Sequence, residues 1–312
     1  MELKRNGYGS NFNKLYIDIS SNLITKECFH FDGMKKIKNE ILFLHFLVES
    51  KIDFPIPKIY DILPNGYVME YMVDYVPLYQ IYNNSFNHKV LPDIIRRLNI
   101  LHSYDKRVTT YDVYLTNLLA ETKYKIYERF ELTNKIVAKY DHIKTVNGMN
   151  IHTFDFIIES LNNRIIDLVK EKEEFWFVPI HGDCQFNNIL INPTTNRICF
   201  IDPRGYYGNM ETYGIEEYDF AKVLFALSGY DDFDNSDILD LNIHNTDIEI
   251  KTSILDAVFL NNNNLETLIM LTIWLGNAHC FVKNENKAIY SYFIAVYYST
   301  LFINKFHIHC IL

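Results

Sequence analysis

Between residues 178 and 205 the chain gathers side chains whose types and spacing suit phosphate chemistry: His181, Asp183, Asn188 and Asp202. Carboxylate and amide oxygens are hard donors, the set Mg²⁺ takes when its remaining ligands are phosphate oxygens and water. The surrounding residues explain how these groups could meet. Residues 189–192 and 197–201 are short apolar runs rich in β-branched side chains, joined by the turn-forming Pro193-Thr194-Thr195-Asn196, so the segment reads as a β-hairpin. Facing residues of an antiparallel pair sit about 5 Å apart. The hairpin therefore predicts that Asn188, just before the first strand, lies beside Asp202, just after the second. Asp183 follows on the tight loop that begins at His181-Gly182.

The spacing has a known counterpart. His181-x-Asp183-x-x-x-x-Asn188 resembles the H-x-D-x-x-x-x-N catalytic loop of kinases, and Ile201-Asp202-Pro203 takes the place of the metal-binding D-F-G. With Gly182 in place of Arg, and Asp-Pro in place of Asp-Phe-Gly, the pattern resembles the aminoglycoside phosphotransferase and choline kinase superfamily. The stretch Ile201-Asp202-Pro203-Arg204-Gly205-Tyr206-Tyr207-Gly208 is most similar to its sugar-directed branches, such as the ketosamine kinases. The resemblance implies an α+β, protein-kinase-like two-lobe fold. A small antiparallel β-sheet plus one helix would form an N-lobe over residues 1–72, ending in the hinge, and residues 73–312 a mainly helical C-lobe. It further implies ATP as donor (GTP stays open), Mg²⁺ held by Asn188 and Asp202, and Asp183 as the catalytic base. His181 would hold the loop through backbone hydrogen bonds.

The elements that must position such a site are legible upstream. A strand over 23–29 places Lys26 on the same face as Ile24 and Cys28 by its period of two. A lysine among apolar neighbours needs a partner, because an unpaired buried ammonium is costly. The next helix, 34–48, carries Ile37, Ile41, Leu44 and Val48 on one face, and Glu40 lies within that stripe. Lys26 with Glu40 resembles the strand-lysine and helix-glutamate pair that holds nucleotide α- and β-phosphates in kinases. Before them, Gly7, Gly9 and Ser10 belong to a loop whose glycines would let backbone N–H groups approach phosphate. After them, Met69-Glu70-Tyr71-Met72 resembles the hinge. The resemblance implies adenine pairing with the Glu70 C=O and the Met72 N–H, and a pocket lined by Met69.

Composition narrows the class. The chain has 312 residues, 48% of them hydrophobic, and a net charge of -9, which suits a sizeable core and argues against a nucleic-acid partner. Five scattered cysteines without C-x-x-C spacing read as reduced thiols of a cytoplasmic protein. Neither a signal peptide nor a membrane span is expected, the apolar run 265–282 being a core helix interrupted by Glu266, Asn277 and His279. Residues 112–146 read as a helical insertion, 216–227 as a helix, 231–240 and 261–264 as loops, 265–282 and 288–303 as helices, and His307-Ile308-His309-Cys310 as a frayed end. His102, in Leu101-His102-Ser103, reads as structural. Asp219 would cap its helix or accept from the catalytic-loop backbone. The short interval from Asp202 to Asp219 leaves little room for a long activation segment, which counts against a protein kinase. The expected partner is a small molecule with a free hydroxyl, a sugar or amino sugar first, contacted by the tyrosine-rich loop 204–213. Choline or ethanolamine is the alternative within the class, and a catalytically inactive nucleotide-binding module the alternative outside it. Arg204 would disfavour a quaternary amine. Trp274, Asn277 and His279 are candidates for the acceptor pocket, with core packing the stronger reading for Trp274.

Overall fold

A computed structural model describes residues 2–3, 12–82, 84–236, 241–251 and 262–307. The glycine-loop residues Gly7, Gly9 and Ser10, and the tail from Ile308 to Cys310, lie outside the described residues. The chain divides into two compact units, the first formed by residues 1–108 and 176–226, the second by 109–175 and 227–312. Residue 72, the expected boundary, falls inside the first unit, which holds both the sheet and the hairpin.

The first leg of the chain builds an antiparallel sheet from β1 (Glu2–Leu3), β2 (Asn13–Asp18), β3 (Leu23–Cys28), β4 (Ile59–Leu63) and β5 (Gly66–Glu70), in the order β1-β2-β3-β5-β4. The β2–β3 turn is held by Asp18, whose carboxylate accepts from the N–H of Ser20 and the hydroxyls of Ser20 and Ser21. Helix α1 (Phe31–Ser50) presses one side into an apolar cluster of Leu15, Ile17, Ile24, Cys28, Ile37, Leu44, Tyr67 and Met69. The expected stripe holds at Ile37 and Leu44, but Val48 is exposed and Leu47 turns inward instead, since 3.6-residue periodicity drifts off a fixed four-residue step. The short β6 (Val76–Pro77), helix α2 (Asn84–His102) and β7 (Arg107–Val108) follow.

The chain then enters the second unit. There α3 (Tyr111–Leu119) runs through a π-helical turn, Ala120–Tyr124, into α4 (Lys125–Val137). The hairpin of β8 (Thr145–Val146) and β9 (Met149–Asn150) comes next, so the helical reading of 112–146 fails at its end. Helix α5 (Phe154–Lys170) closes this leg, capped by the Thr153 hydroxyl on the Phe156 N–H.

Back in the first unit, β10 (Trp176–Pro179) leads to the hairpin of β11 (Ile189–Ile191) and β12 (Ile198–Phe200), with β6 on its other edge. Its turn is fixed by Asn192, whose side-chain oxygen accepts from the N–H groups of Thr194 and Thr195, with Asn196 left-handed at φ 57°. Then come β13 (Tyr206–Tyr207), β14 (Met210–Glu211), β15 (Tyr213–Gly214) and helix α6 (Glu216–Leu227).

The last leg belongs to the second unit. It starts with α7 (Tyr230–Asn235), where a loop was expected. The acidic residues there misled, because Tyr230 and Phe233 are buried and pack on Trp274. Strands β16 (Asn242–His244) and β17 (Asp247–Glu249) join β8 and β9 in one sheet. The expected helix 265–282 is shorter: α8 (Leu265–Leu275) stops at Gly276, and Ala278–Phe281 is a 3₁₀ turn. Helix α9 (Glu285–Phe306) is capped by Asn284. Trp274 is buried and donates its indole N–H to Ser228 at 2.7 Å, a core role. Asn277 is likewise buried, its amide on the Ser291 hydroxyl. Among the described residues no helix is long and apolar enough to cross a membrane.

Candidate active site

Within the first unit Lys26, Glu40 and Asp202 come together, and Asp183 with Asn188. Period-two alternation in β3 turns Lys26 inward with Ile24 and Cys28, and Glu40 faces it from α1 with no exposure at all. The Lys26 ammonium donates to Glu40 Oε2 at 2.6 Å and to Asp202 Oδ1 at 3.0 Å. The Tyr67 hydroxyl, on β5, is a second donor to Glu40 Oε2, at 3.2 Å. Burial alone would lower the lysine's pKa; Asp202 and Glu40 outweigh it and hold the group well above its usual value, so it stays charged.

The loop that begins at His181 is suspended from beneath. Asp219, on α6, is fully buried and accepts from the His181 N–H at 2.9 Å, the Gly182 N–H at 2.6 Å and His102 Nε2 at 3.0 Å. Asp219 thus takes the second of its two expected roles, receiving the loop backbone. Burial works to raise its carboxyl, but the His102 hydrogen bond, the two histidine rings and the Gly182 N–H prevail and lower it. His181 fastens the loop to the hairpin: its Nε2 lies 3.1 Å from the Ile201 carbonyl and its Nδ1 accepts from the Asp183 N–H. Gly182, at φ 79°, sits where a Cβ would come within 2.9 Å of the Arg204 Cβ; here a left-handed backbone and close packing both call for glycine.

Asp183 projects from this loop with 22% of its side chain exposed. The Asn188 amide donates to its Oδ2 at 2.9 Å and to its backbone carbonyl at 3.1 Å. Its Oδ1 lies 2.9 Å from the ammonium of Lys222, on α6. Burial pushes the Asp183 carboxyl up; the ammoniums of Lys222 and Lys36 more than offset this and hold it below the ordinary range. The hairpin register differs by one residue from expectation: Ile189 pairs with Phe200, and the Ile201 N–H donates to the Asn188 carbonyl, so Asn188 faces Ile201 and not Asp202. The second strand ends earlier than its apolar run because Asp202 adopts a left-handed backbone, φ 55°, and leaves the ladder.

The loop beyond Asp202 docks on α1. A Cβ on Gly205, at φ 67°, would stand 2.2 Å from the Asn39 carbonyl oxygen, one residue before Glu40. Gly205→Ala is expected to displace this loop, lowering stability by about 2–4 kcal/mol and weakening nucleotide binding with it. Chemical denaturation and nucleotide titration of that variant would show both losses, and wild-type values in either would refute the docking role. Arg204, buried, donates to the Tyr218 hydroxyl at 2.6 Å and lies over the Tyr206 ring.

The hinge candidates close the sheet side. Met69 is buried opposite Ile24 in the cluster beneath Lys26. The Glu70 N–H donates to the Lys58 carbonyl, and the Met72 carbonyl receives the Tyr75 N–H in a turn. Asp202 and Asn188 fit a magnesium ion by donor chemistry, one carboxylate and one amide whose nitrogen is already committed to Asp183. No cluster of three or more His, Cys, Asp or Glu side chains suited to a metal exists among the described residues, so phosphate oxygens and water would complete the shell. Sequence reasoning missed Lys222 and Tyr67. Lys222 carried a signal of the same kind as Lys26, a lysine amid Phe220, Val223 and Phe225 one helical turn after Asp219.

No protein-family model and no curated protein sequence matches the chain. Solved structures do. A thermostable mutant of the aminoglycoside phosphotransferase APH(4)-Ia, in ternary complex with AMP-PNP and hygromycin B, aligns with TM-score 0.55 and 12% identity, over 97% of this chain and 92% of that one. The choline kinase LicA from Streptococcus pneumoniae aligns with TM-score 0.52 and 17% identity, over 96% and 93%. A Plasmodium vivax ethanolamine kinase aligns with TM-score 0.50 and 17% identity, over 98% and 84%. At these identities the likeness is one of fold, and it establishes the α+β, protein-kinase-like architecture.

Proposed function

From a chain with the fold of the aminoglycoside phosphotransferases and choline kinases, we propose an ATP-dependent phosphotransferase acting on a hydroxyl of a small molecule. The observation that carries this reading is the Lys26 ammonium bound at once to Glu40 and Asp202, 2.6 and 3.0 Å away, while Asp183 stands ionised on the adjoining loop. Such groups do the work phosphoryl transfer needs, which is positioning and charge neutralisation. Lys26, oriented by Glu40, would bind the α- and β-phosphate oxygens. Asp202 and Asn188 would hold Mg²⁺, which neutralises charge on the phosphates. The hinge at Glu70 and Met72 would receive adenine beside Met69, and the loop with Gly7, Gly9 and Ser10 would cover the phosphates. Asp183 would orient the acceptor hydroxyl and take its proton as that oxygen bonds to the γ-phosphorus and the bond to the β-phosphate oxygen breaks, releasing ADP.

A sugar or amino sugar is the first acceptor to test, with choline or ethanolamine as the alternative; GTP should be compared with ATP. The kinases of like fold contribute precedent for both acceptor classes through their own names. The test is ADP release followed across sugars, amino sugars and amino alcohols, and ADP release that no acceptor stimulates would overturn the reading in favour of a nucleotide-binding module. Asp202→Ala is expected to weaken Mg·ATP binding by at least about tenfold, as the removal of a charged partner from a buried ammonium and of a metal ligand together imply. Unchanged affinity by calorimetry would remove Asp202 from the metal site.

A further inference from the structure

We propose that Lys222 and Asp183 act as a pair that selects the acceptor, taking a hydroxyl whose neighbouring carbon bears an oxygen and rejecting one whose neighbouring carbon bears an ammonium. This rests on the phosphotransferase reading of the same site and narrows its substrate class. Asp183 Oδ1 meets the Lys222 ammonium at 2.9 Å, and Oδ2 meets the Asn188 amide at 2.9 Å. Each carboxylate oxygen keeps one further lone pair for an incoming hydroxyl. Lys222 has three N–H donors, and among the described residues its hydrogen-bonded partner is Asp183. Its side chain is 13% exposed and that of Asp183 22%, so both members of the pair keep accessible surface.

The aromatic ring of Phe225, 5.3 Å from the ammonium, offers it a face but no lone pair. Two donors held at the edge of a largely buried site call for oxygen acceptors, since leaving them unfilled after an acceptor excludes water is costly. A vicinal diol answers both halves of the pair. One hydroxyl donates to Asp183 while the adjacent oxygen accepts from Lys222. Choline, ethanolamine and sugars aminated beside the reacting hydroxyl present a cation at that second position instead. They would place like charges together within a few ångströms, in a setting screened less than bulk water. Lys36, close enough to influence Asp183, adds to the same field.

The experiment compares matched acceptors differing only in the group next to the reacting carbon: diols and sugars against their β-amino counterparts, in the full-length protein with ATP and magnesium. Wild type is expected to favour the oxygen member of each pair by at least about tenfold in kcat/KM. Lys222→Glu should reverse or erase that ratio, while Lys222→Arg should keep it. ATP affinity, measured on each variant, reports that the fold survives. Amino alcohols used as well as diols by the wild type, or a ratio indifferent to Lys222→Glu, would overturn the pairing while leaving the phosphotransferase reading intact. Transfer to no diol at all would overturn it too, and loss of ATP binding by the wild type would bring down the underlying reading with it.

Discussion

Replacing Asp183 by alanine is expected to reduce kcat by about 10²–10⁴-fold, the contribution of a positioned base, while ATP binding stays within a few-fold of wild type. The two effects separate because the groups do. Asp183 hangs from a loop tied to α6 through Asp219, whereas the Lys26 ammonium is held by Glu40 and Asp202. Burial disfavours the charge of this carboxylate, yet the Lys222 and Lys36 ammoniums keep it ionised at neutral pH. Its orientation is fixed by the Asn188 amide at 2.9 Å. Steady-state turnover with the best acceptor, beside calorimetric titration with ATP, measures both quantities. Undiminished turnover would remove Asp183 from the chemistry.

Asp219→Ala should be the most damaging single change to the fold around the site. The carboxylate satisfies three buried donors, the N–H groups of His181 and Gly182 and the His102 ring. Removing it strands them without acceptors, and at about 1–3 kcal/mol apiece the loss is about 3–9 kcal/mol, comparable with much of a domain's net stability. Urea denaturation would measure it, and a loss below about 1 kcal/mol would show the loop has other support. A pH signature follows. The folded carboxyl lies below its ordinary value of 3.8. Its contribution is therefore present above that value and disappears as the solution is acidified through the lower, folded one. Asp219→Asn, which retains one acceptor oxygen, should be less destabilised than the alanine variant and should lose this part of the acid dependence.

Much of this site could be read from spacing alone, because the pairs that matter obey short-range periodicities. Lys26 was legible from alternation with Ile24 and Cys28, and Glu40 from its place in the α1 stripe; their 2.6 Å contact follows from two independent local patterns. The hairpin turn at Asn192 to Asn196 announced itself by composition. The register at its open end did not. The register is set at the turn, where the Asn192 N–H donates to the Arg197 carbonyl, and counting back from there puts Ile201, not Asp202, opposite Asn188. Tyr67 met Glu40 across a sheet and a helix, a tertiary fact with no local trace. The acidic run after Tyr230 read as a loop because charge was weighed above the buried aromatic rings at Tyr230 and Phe233. The division into units was invisible for a simpler reason: each is assembled from two separate stretches of chain.

That interleaving has a consequence for how the protein is born. As the ribosome delivers the chain, Lys26 and Glu40 emerge long before Asp202, with the whole of residues 109–175 synthesised in between. The Lys26 ammonium must wait for its second counter-charge, and β6 and β7 for their partners β11 and β10. Closing so long an excursion is slow relative to local hairpin formation. During that interval β6 and β7 have no strand beside them, a window in which chaperones would be drawn to the nascent polypeptide.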